Sequence, residues 1–138
     1  MGLVLASASP RRRELLAALG VPFEVDPAEI EEPLPERHPH PERVARRLAR
    51  HKAEVVAARR PEDWILAADT VVVLRGRLLG KPETPEEARA MLRSLRDRWH
   101  RVITGVAVAH GKRLRVDHAQ TWVRIRAYSD EEIEASIA

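Results

Sequence analysis

The chain has 138 residues, a formal net charge of +3 and no cysteine. This length favours one domain with a true hydrophobic core. The lack of cysteine excludes disulfides and thiolate metal sites and indicates a reducing compartment. No uncharged apolar stretch reaches about 20 residues, the length of a membrane span, and the N-terminus lacks the features of a signal peptide. We therefore expect a cytoplasmic protein with no membrane partner.

The basic residues are strongly biased toward arginine, with 21 arginines against three lysines, Lys52, Lys81 and Lys112. The sequence pI is about 9.9, but the positive charge is dispersed and nearly balanced by 21 acidic residues. Nucleic-acid binding is therefore not the favoured interpretation. The few lysines deserve notice, because an ammonium and a guanidinium group are not interchangeable against phosphate.

The N-terminal segment has the pattern of a strand, a turn and a helix. Residues 3–6 are apolar, Ser9 is suited to an N-cap, and Pro10 fits the first helical position. The first turn would carry three arginines, residues 11–13, which oppose the helix dipole unless an anion is near. Together with the hydroxyl of Ser7, this pattern predicts a phosphate site. A capped helix with solvated arginines is the alternative.

Residues 27–41 contain five prolines and show no helical or strand period, so we expect an irregular segment bordering a cleft. Apolar positions between residues 42 and 60 recur at helical spacing and predict a long amphipathic helix. Lys52 follows Leu48 by four residues and so lies beside the apolar stripe. It either contacts phosphate or extends to solvent at the helix edge.

Residues 64–74 form an almost continuous apolar run with Asp69 in its middle. Such a run predicts a buried strand, in which an unpaired carboxylate would cost several kcal/mol. A cation, the open end of a cleft or basic side chains must therefore compensate the charge, and we interpret Asp69 as the centre of an active site. The alternative is a strand-end carboxylate bonded to backbone or to a structural arginine.

The second half of the chain alternates helix and strand signals. A capping box at residues 84–87 predicts a helix, and residues 102–109 and 114–125 predict two strands joined by a hairpin turn at 110–112. The apolar phase changes within the second strand, which predicts a bulge or strong twist near residues 117–121. A second capping box at residues 129–132 predicts a final helix.

Two further features are relevant to metal binding. Glu31 and Glu32 could bring a second carboxylate to a cation held by Asp69, because magnesium binds a few carboxylates together with water and phosphate. Ordinary loop acids are the alternative. The six histidines show no zinc-ligand spacing, and we interpret them as structural.

Six motifs in this chain resemble, in order, those of the Maf family of nucleoside triphosphate pyrophosphatases, also called septum-formation-inhibitor-like proteins. They are Ser-x-Ser-Pro-Arg-Arg at residues 7–12, an acidic pair after a hydrophobic residue at 30–32, Leu-Ala-Arg-x-Lys-Ala at 48–53, Ala-Asp-Thr at 68–70, Gly-Lys-Pro at 80–82 and His-x-Val-x-Thr-Gly at 100–105. Each motif is short, and the resemblance depends on their common order.

The resemblance implies an α/β fold in which helices flank an elongated mixed β-sheet with a central cleft, similar to inosine triphosphate pyrophosphatases. It implies hydrolysis of a nucleoside triphosphate between its α and β phosphates. Asp69 matches the family's presumed catalytic base, the group that takes a proton. Arg12 and Thr70 match residues associated with selecting the nucleobase of the substrate. Asp-Thr at residues 69 and 70 is similar to the branch acting on dTTP and UTP.

On this resemblance we expect Arg11, Arg12, Lys52 and Lys81 to surround the triphosphate, with Ser7 and Ser9 donating to its oxygens. Glu32 and Asp69 would hold a magnesium or manganese ion, and Asp69 would orient or deprotonate the attacking water.

Family members continue past the position of Ala138 into a segment whose glutamine also takes part in base selection. We therefore expect residues 1–138 to form a single α/β domain without the C-terminal part of the family. Apolar surface exposed in this way would favour a homodimer. A catalytically inactive nucleotide-binding or regulatory remnant is the alternative to an active enzyme.

Overall fold

The computed structural model describes residues 2–30, 32–80 and 82–137, which form alternating strands and helices. Within these ranges, no helix is both long and apolar enough to cross a membrane. The elements are β1 (Leu3–Leu5), α1 (Pro10–Ala18), β2 (Glu24–Val25), α2 (Pro41–Arg59), β3 (Trp64–Leu74), β4 (Arg77–Leu79), α3 (Pro85–Leu95), β5 (Arg98–His110), β6 (Arg113–Ile125) and α4 (Asp130–Ile137).

The strands form one mixed sheet in the order β2-β1-β3-β5-β6, with β4 paired to β3. Strand β1 runs parallel to both β2 and β3. Strands β3, β5 and β6 are antiparallel neighbours along most of their length. The structure confirms the expected mixed α/β sheet, and it makes β3 the central strand that carries Asp69.

Helix α2 covers the middle of the sheet and forms the core with it. Ala49, Ala53 and Val56 of α2 pack on Ile65 and Ala67 of β3 in one buried cluster. In a second cluster nearer the start of the helix, residues 44, 45 and 48 pack on residues 71, 73 and 103. This packing fixes the position of α2, and therefore of Lys52, relative to the central strand.

Local sequence signals fix the start of α1, the helix that directly follows the N-terminal turn. The side chain of Ser9 accepts a hydrogen bond from the backbone N–H of Arg12 at 3.4 Å, and Pro10 is the first residue of α1. The predicted N-cap is therefore confirmed, and the three arginines of residues 11–13 are in the first turn. Residues 32–40 form an irregular segment with a single isolated bridge between Arg37 and Arg77.

Of the bulge or strong twist predicted near residues 117–121, the bulge is wrong. Strand β6 pairs with β5 in continuous register from Arg113 to Ile125. The apolar phase changes because the two ends of β6 bury opposite faces. Val116 lies opposite Ala107 on the face that α2 covers, whereas Val123 lies opposite His100, which is buried on the other face.

A cluster of ionic hydrogen bonds joins the segment after β2 to the end of α2. The guanidinium of Arg59 bonds both carboxylate oxygens of Asp26, at 2.6 and 3.1 Å, and Nε of Arg60 bonds Oδ2 at 2.8 Å. The bonds from Arg59, followed by those from Arg60, lower the pKa of Asp26 below its ordinary value of 3.8. Because the folded pKa is depressed, the stabilisation is present above the ordinary value and is lost as the pH falls through the folded value.

We expect Asp26→Asn to lower the thermal unfolding midpoint by a few degrees at pH 7 and to have little effect at a pH below the folded pKa of Asp26, where the wild-type carboxyl is also neutral. Thermal denaturation at the two pH values measures this. Glu54→Gln is the matched control, since it breaks the exposed pair between Glu54 and Arg50 and should change little. The same deficit for Asp26→Asn at both pH values would contradict the prediction.

Candidate active site

Asp69 is in the middle of β3 and forms an ion pair with Lys52 of α2. The distance from Nζ of Lys52 to Oδ2 of Asp69 is 3.1 Å, and about a quarter of each side chain is exposed. The other carboxylate oxygen, Oδ1, accepts a hydrogen bond from the backbone N–H of Thr70 at 2.9 Å. A basic partner and a partly open position therefore explain how the carboxylate is tolerated in an apolar strand.

Two compartments of a cleft meet at this ion pair. The α2-side compartment has a volume of about 470 Å³ and is lined by Glu32, Leu34 and Leu48 among others. The α1-side compartment, of about 640 Å³, is lined by residues of the N-terminal turn and α1. Lys52, Asp69, Thr70 and Gly80 line both compartments. The pair is therefore at the junction, where it would contact a ligand extending through both.

The α1-side compartment is rich in hydrogen-bond donors. Ser7, Ser9 and Arg11 line it, together with Arg12. The hydroxyl oxygens of Ser7 and Ser9 accept backbone N–H groups of the same turn, so their hydrogens can be donated to an anion. This arrangement can bind phosphate oxygens.

Arg12 is held against the central strand. Its Nη1 donates to the carbonyl of Ala68 at 3.2 Å, and its Nη2 donates to Oγ1 of Thr70 at 2.8 Å. The hydroxyl of Thr70 in turn bonds that of Thr104 on β5 at 3.1 Å. Two of the five guanidinium N–H groups are thus used on β3, which fixes the orientation of the guanidinium.

The α2-side compartment contains a second carboxylate. Oε1 of Glu32 bonds Nδ1 of His51. Oε2 of Glu32 is buried and has no hydrogen-bond partner within the described residues. Among the described residues, Arg47 forms an ion pair with this oxygen, but its Nε is 4.0 Å away, too far for a hydrogen bond. A carboxylate oxygen left in this state can bind a cation or a donor from a ligand.

Most of the site residues predicted from the sequence line the two compartments. These are Ser7, Ser9, Arg11, Arg12, Glu32, Lys52, Asp69 and Thr70. Lys81 and Glu31 lie outside the described residues, although Gly80, which precedes Lys81, lines both compartments.

Two residues of the site were missed in the sequence. His51 was interpreted as structural, yet its side chain bonds the Glu32 carboxylate. His51 follows Arg47 by four residues, so both side chains are on one face of α2. This spacing was the sequence signal for two basic side chains near one acidic residue. Thr104 contacts Thr70 because β5 pairs with β3 in a register that aligns the two residues. Its motif was recognised, but no role followed from it.

The mixed-sheet α/β fold of this chain is also found in solved structures. The structure is similar to that of a nucleoside-triphosphatase / dITP/XTP pyrophosphatase from Mycobacterium abscessus, with a TM-score of 0.57 and 16% identity over 88% of this chain and 73% of that one. It is also similar to the Staphylococcus aureus Ham1 protein, with a TM-score of 0.58 and 15% identity over 90% of this chain and 71% of that one. At such low identity these similarities establish the fold alone.

The chain belongs to the Maf-like protein family, whose model matches residues 2–138. It is 77% identical over 138 residues to a dTTP/UTP pyrophosphatase of Thermomicrobium roseum, covering 100% of this chain and 63% of that protein. It is 49% identical over 138 residues to a dTTP/UTP pyrophosphatase of Moorella thermoacetica, covering 99% of this chain and 71% of that protein. The chain thus spans roughly two thirds of the length of these relatives.

Proposed function

We propose that this protein is a nucleoside triphosphate pyrophosphatase that hydrolyses dTTP and UTP to the nucleoside monophosphate and pyrophosphate. The names of its similar relatives support the substrate class. The main structural support for the proposal is the Lys52–Asp69 ion pair at the junction of the two compartments. A nucleotide that extends through both would have its phosphates beside this pair.

Asp69 supplies the general base in this proposal. A water oxygen attacks the α phosphorus, the proton of that water passes to the Asp69 carboxylate, and the bond to the bridging oxygen breaks as pyrophosphate leaves with the electron pair. Lys52 neutralises charge that develops on the phosphate oxygens, which is the largest contribution a protein makes to such a reaction. The position of the pair allows both roles at one reacting centre.

The remaining residues would bind and select the nucleotide. Ser7, Ser9 and Arg11 donate to phosphate oxygens, and we assign Lys81 to the same group on the basis of its motif. Arg12 and Thr70 contact each other, and we assign both to selection of the nucleobase. We place the activity in the cytoplasm, and a homodimer stays a prediction.

We propose magnesium or manganese as the cofactor. Glu32 and Asp69 both line the α2-side compartment, and the unpartnered Oε2 of Glu32 is a hard oxygen donor of the kind these ions prefer. Within the described ranges no group of three or more metal-ligating side chains occurs, so water and substrate phosphate would complete the coordination. When bound, the ion supplies charge stabilisation to the phosphates.

The test is product analysis with the 138-residue chain, dTTP or UTP, and magnesium or manganese in ¹⁸O-labelled water. We expect pyrophosphate and a monophosphate that carries the label, because water attacks the α phosphorus. Release of orthophosphate, or label in the pyrophosphate, would contradict this chemistry. Nucleotide binding measured by calorimetry without any turnover would instead support the alternative of an inactive nucleotide-binding remnant.

A further inference from the structure

Thr104 is on the face of the sheet opposite to α2, where it closes a chain of hydrogen bonds that begins at Arg12. Thr104 on β5 lies directly opposite Thr70 on β3, and their hydroxyl oxygens are 3.1 Å apart. Arg12 donates to the Thr70 hydroxyl at 2.8 Å. All three side chains line the α1-side compartment, together with the apolar side chains of Leu15, Val72, Leu79 and Met91.

The number of hydrogens in this series of hydrogen bonds limits how many donors it can offer to a ligand. A guanidinium can only donate, so Arg12 occupies an acceptor position on Thr70. The two hydroxyl groups have two hydrogens, and the bond between them uses one. Within residues 2–30, 32–80 and 82–137, neither hydroxyl has a further partner. One hydroxyl hydrogen is therefore left over, whichever threonine donates to the other.

Arg12 also makes that remaining hydrogen a stronger donor. A hydroxyl that accepts a bond from a cation is polarised, and the effect passes along a chain of hydrogen bonds. The guanidinium has five N–H groups, of which two are used on β3. The compartment wall at this point is therefore dominated by donors, and a ligand atom beside it is best matched if it accepts.

We propose that Thr104 is a positioning residue for base selection, completing an Arg12–Thr70–Thr104 donor chain that favours a keto oxygen over an amino group on the nucleobase. Uracil and thymine present O4, an acceptor, where cytosine presents the N4 amino donor. A donor facing the cytosine amino group is left unpaired, which is the usual basis of strong discrimination between similar ligands. The inference deepens the proposed function and rests on it.

The test compares hydrolysis of UTP and CTP by the wild-type chain and by Thr104→Val, which removes the hydroxyl and keeps the shape. Thr70 keeps its own hydrogen in this variant but loses the hydroxyl partner that fixes the direction of that hydrogen, so we expect the ratio of kcat/KM for UTP to that for CTP to fall by up to about tenfold, the value of one hydrogen bond. Thr104→Ser, which keeps the hydroxyl, should restore the ratio. Thr121→Val is the matched control, because Thr121 is an exposed threonine of β6 outside both compartments.

An unchanged ratio in a Thr104→Val protein that still hydrolyses UTP would overturn the inference and leave the proposed function intact. A wild-type ratio near one would do the same. If Thr104→Val does not fold, Thr104→Ala provides the same loss of the hydroxyl.

If the wild-type chain hydrolyses no nucleotide, the proposed function fails, and the inference is judged by the dissociation constants of UMP and CMP from calorimetry. Tighter binding of UMP that Thr104→Val abolishes would support it. Equal binding of UMP and CMP, or no binding of either, would overturn it.

Discussion

Replacement of Asp69 by asparagine is expected to reduce kcat/KM for UTP about 10³-fold, within the range typical of losing a general acid or base. The amide has almost the same shape as the carboxylate, but it cannot take the proton of the attacking water. It also leaves Lys52 without its anionic partner at 3.1 Å. Steady-state pyrophosphate release measures the loss, and nucleotide binding should be retained or tightened because Lys52 becomes free to contact phosphate.

Asp117→Asn is the matched control for this substitution. Asp117 is also a strand carboxylate whose Oδ1 accepts the backbone N–H of the next residue, at 2.7 Å. It is exposed on β6 and outside the two compartments. We expect this variant to retain turnover within about twofold of the wild type, as is usual for surface substitutions. An Asp69→Asn protein that keeps more than about a tenth of wild-type turnover would show that Asp69 is not the base.

The charged centre of the site could be predicted because it follows from local physical chemistry. A carboxylate within an apolar strand needs compensation wherever the strand is placed, so Asp69 was identifiable from its neighbours alone. Helical spacing put Lys52 at the edge of an apolar stripe, and that edge faces the strand. The N-cap at Ser9 depends only on adjacent residues. These features need no knowledge of how the strands pair.

The missed features all depend on contacts between distant parts of the chain. The contact between Thr70 and Thr104 requires the register of β3 with β5, which the sequence does not specify. The predicted bulge in β6 is absent because the two ends of the strand bury residues on opposite faces of the sheet, which the sequence of the strand alone does not specify. Strand β4 was not predicted, because a strand of three residues is too short to show a pattern. The turn before it has positive φ at Arg75 and Gly76 and is typical of a two-residue hairpin.

Helix α2 packs closely against the sheet at Gly105 of β5. A Cβ atom on this residue would be 2.2 Å from the carbonyl oxygen of Ala45 and 2.8 Å from the backbone nitrogen of Arg46. Both obstacles are backbone atoms of α2, so no side-chain rotation can relieve the contact, and the helix itself must move. Glycine is therefore required here by space, since its φ is not in the left-handed region.

Gly105→Ala is expected to destabilise the fold by about 3 kcal/mol or more, at or above the upper end of the usual cost of overpacking. This corresponds to a fall in the unfolding midpoint of about 10 °C for a domain of this size. In molecules that stay folded, the shift of α2 also carries Lys52 away from Asp69, so turnover should fall even below the melting temperature. Thermal denaturation and pyrophosphate release measure the two effects.

Gly2→Ala is the control for Gly105→Ala, because a Cβ on Gly2 would meet only Oδ1 of Asp63, at an ordinary 3.9 Å. It should melt within a few degrees of the wild type. A Gly105→Ala protein with wild-type melting and turnover would mean that α2 can shift without cost. Since the distance between Lys52 and Asp69 depends on where α2 packs, that result would also remove the reason for expecting a rigid catalytic pair.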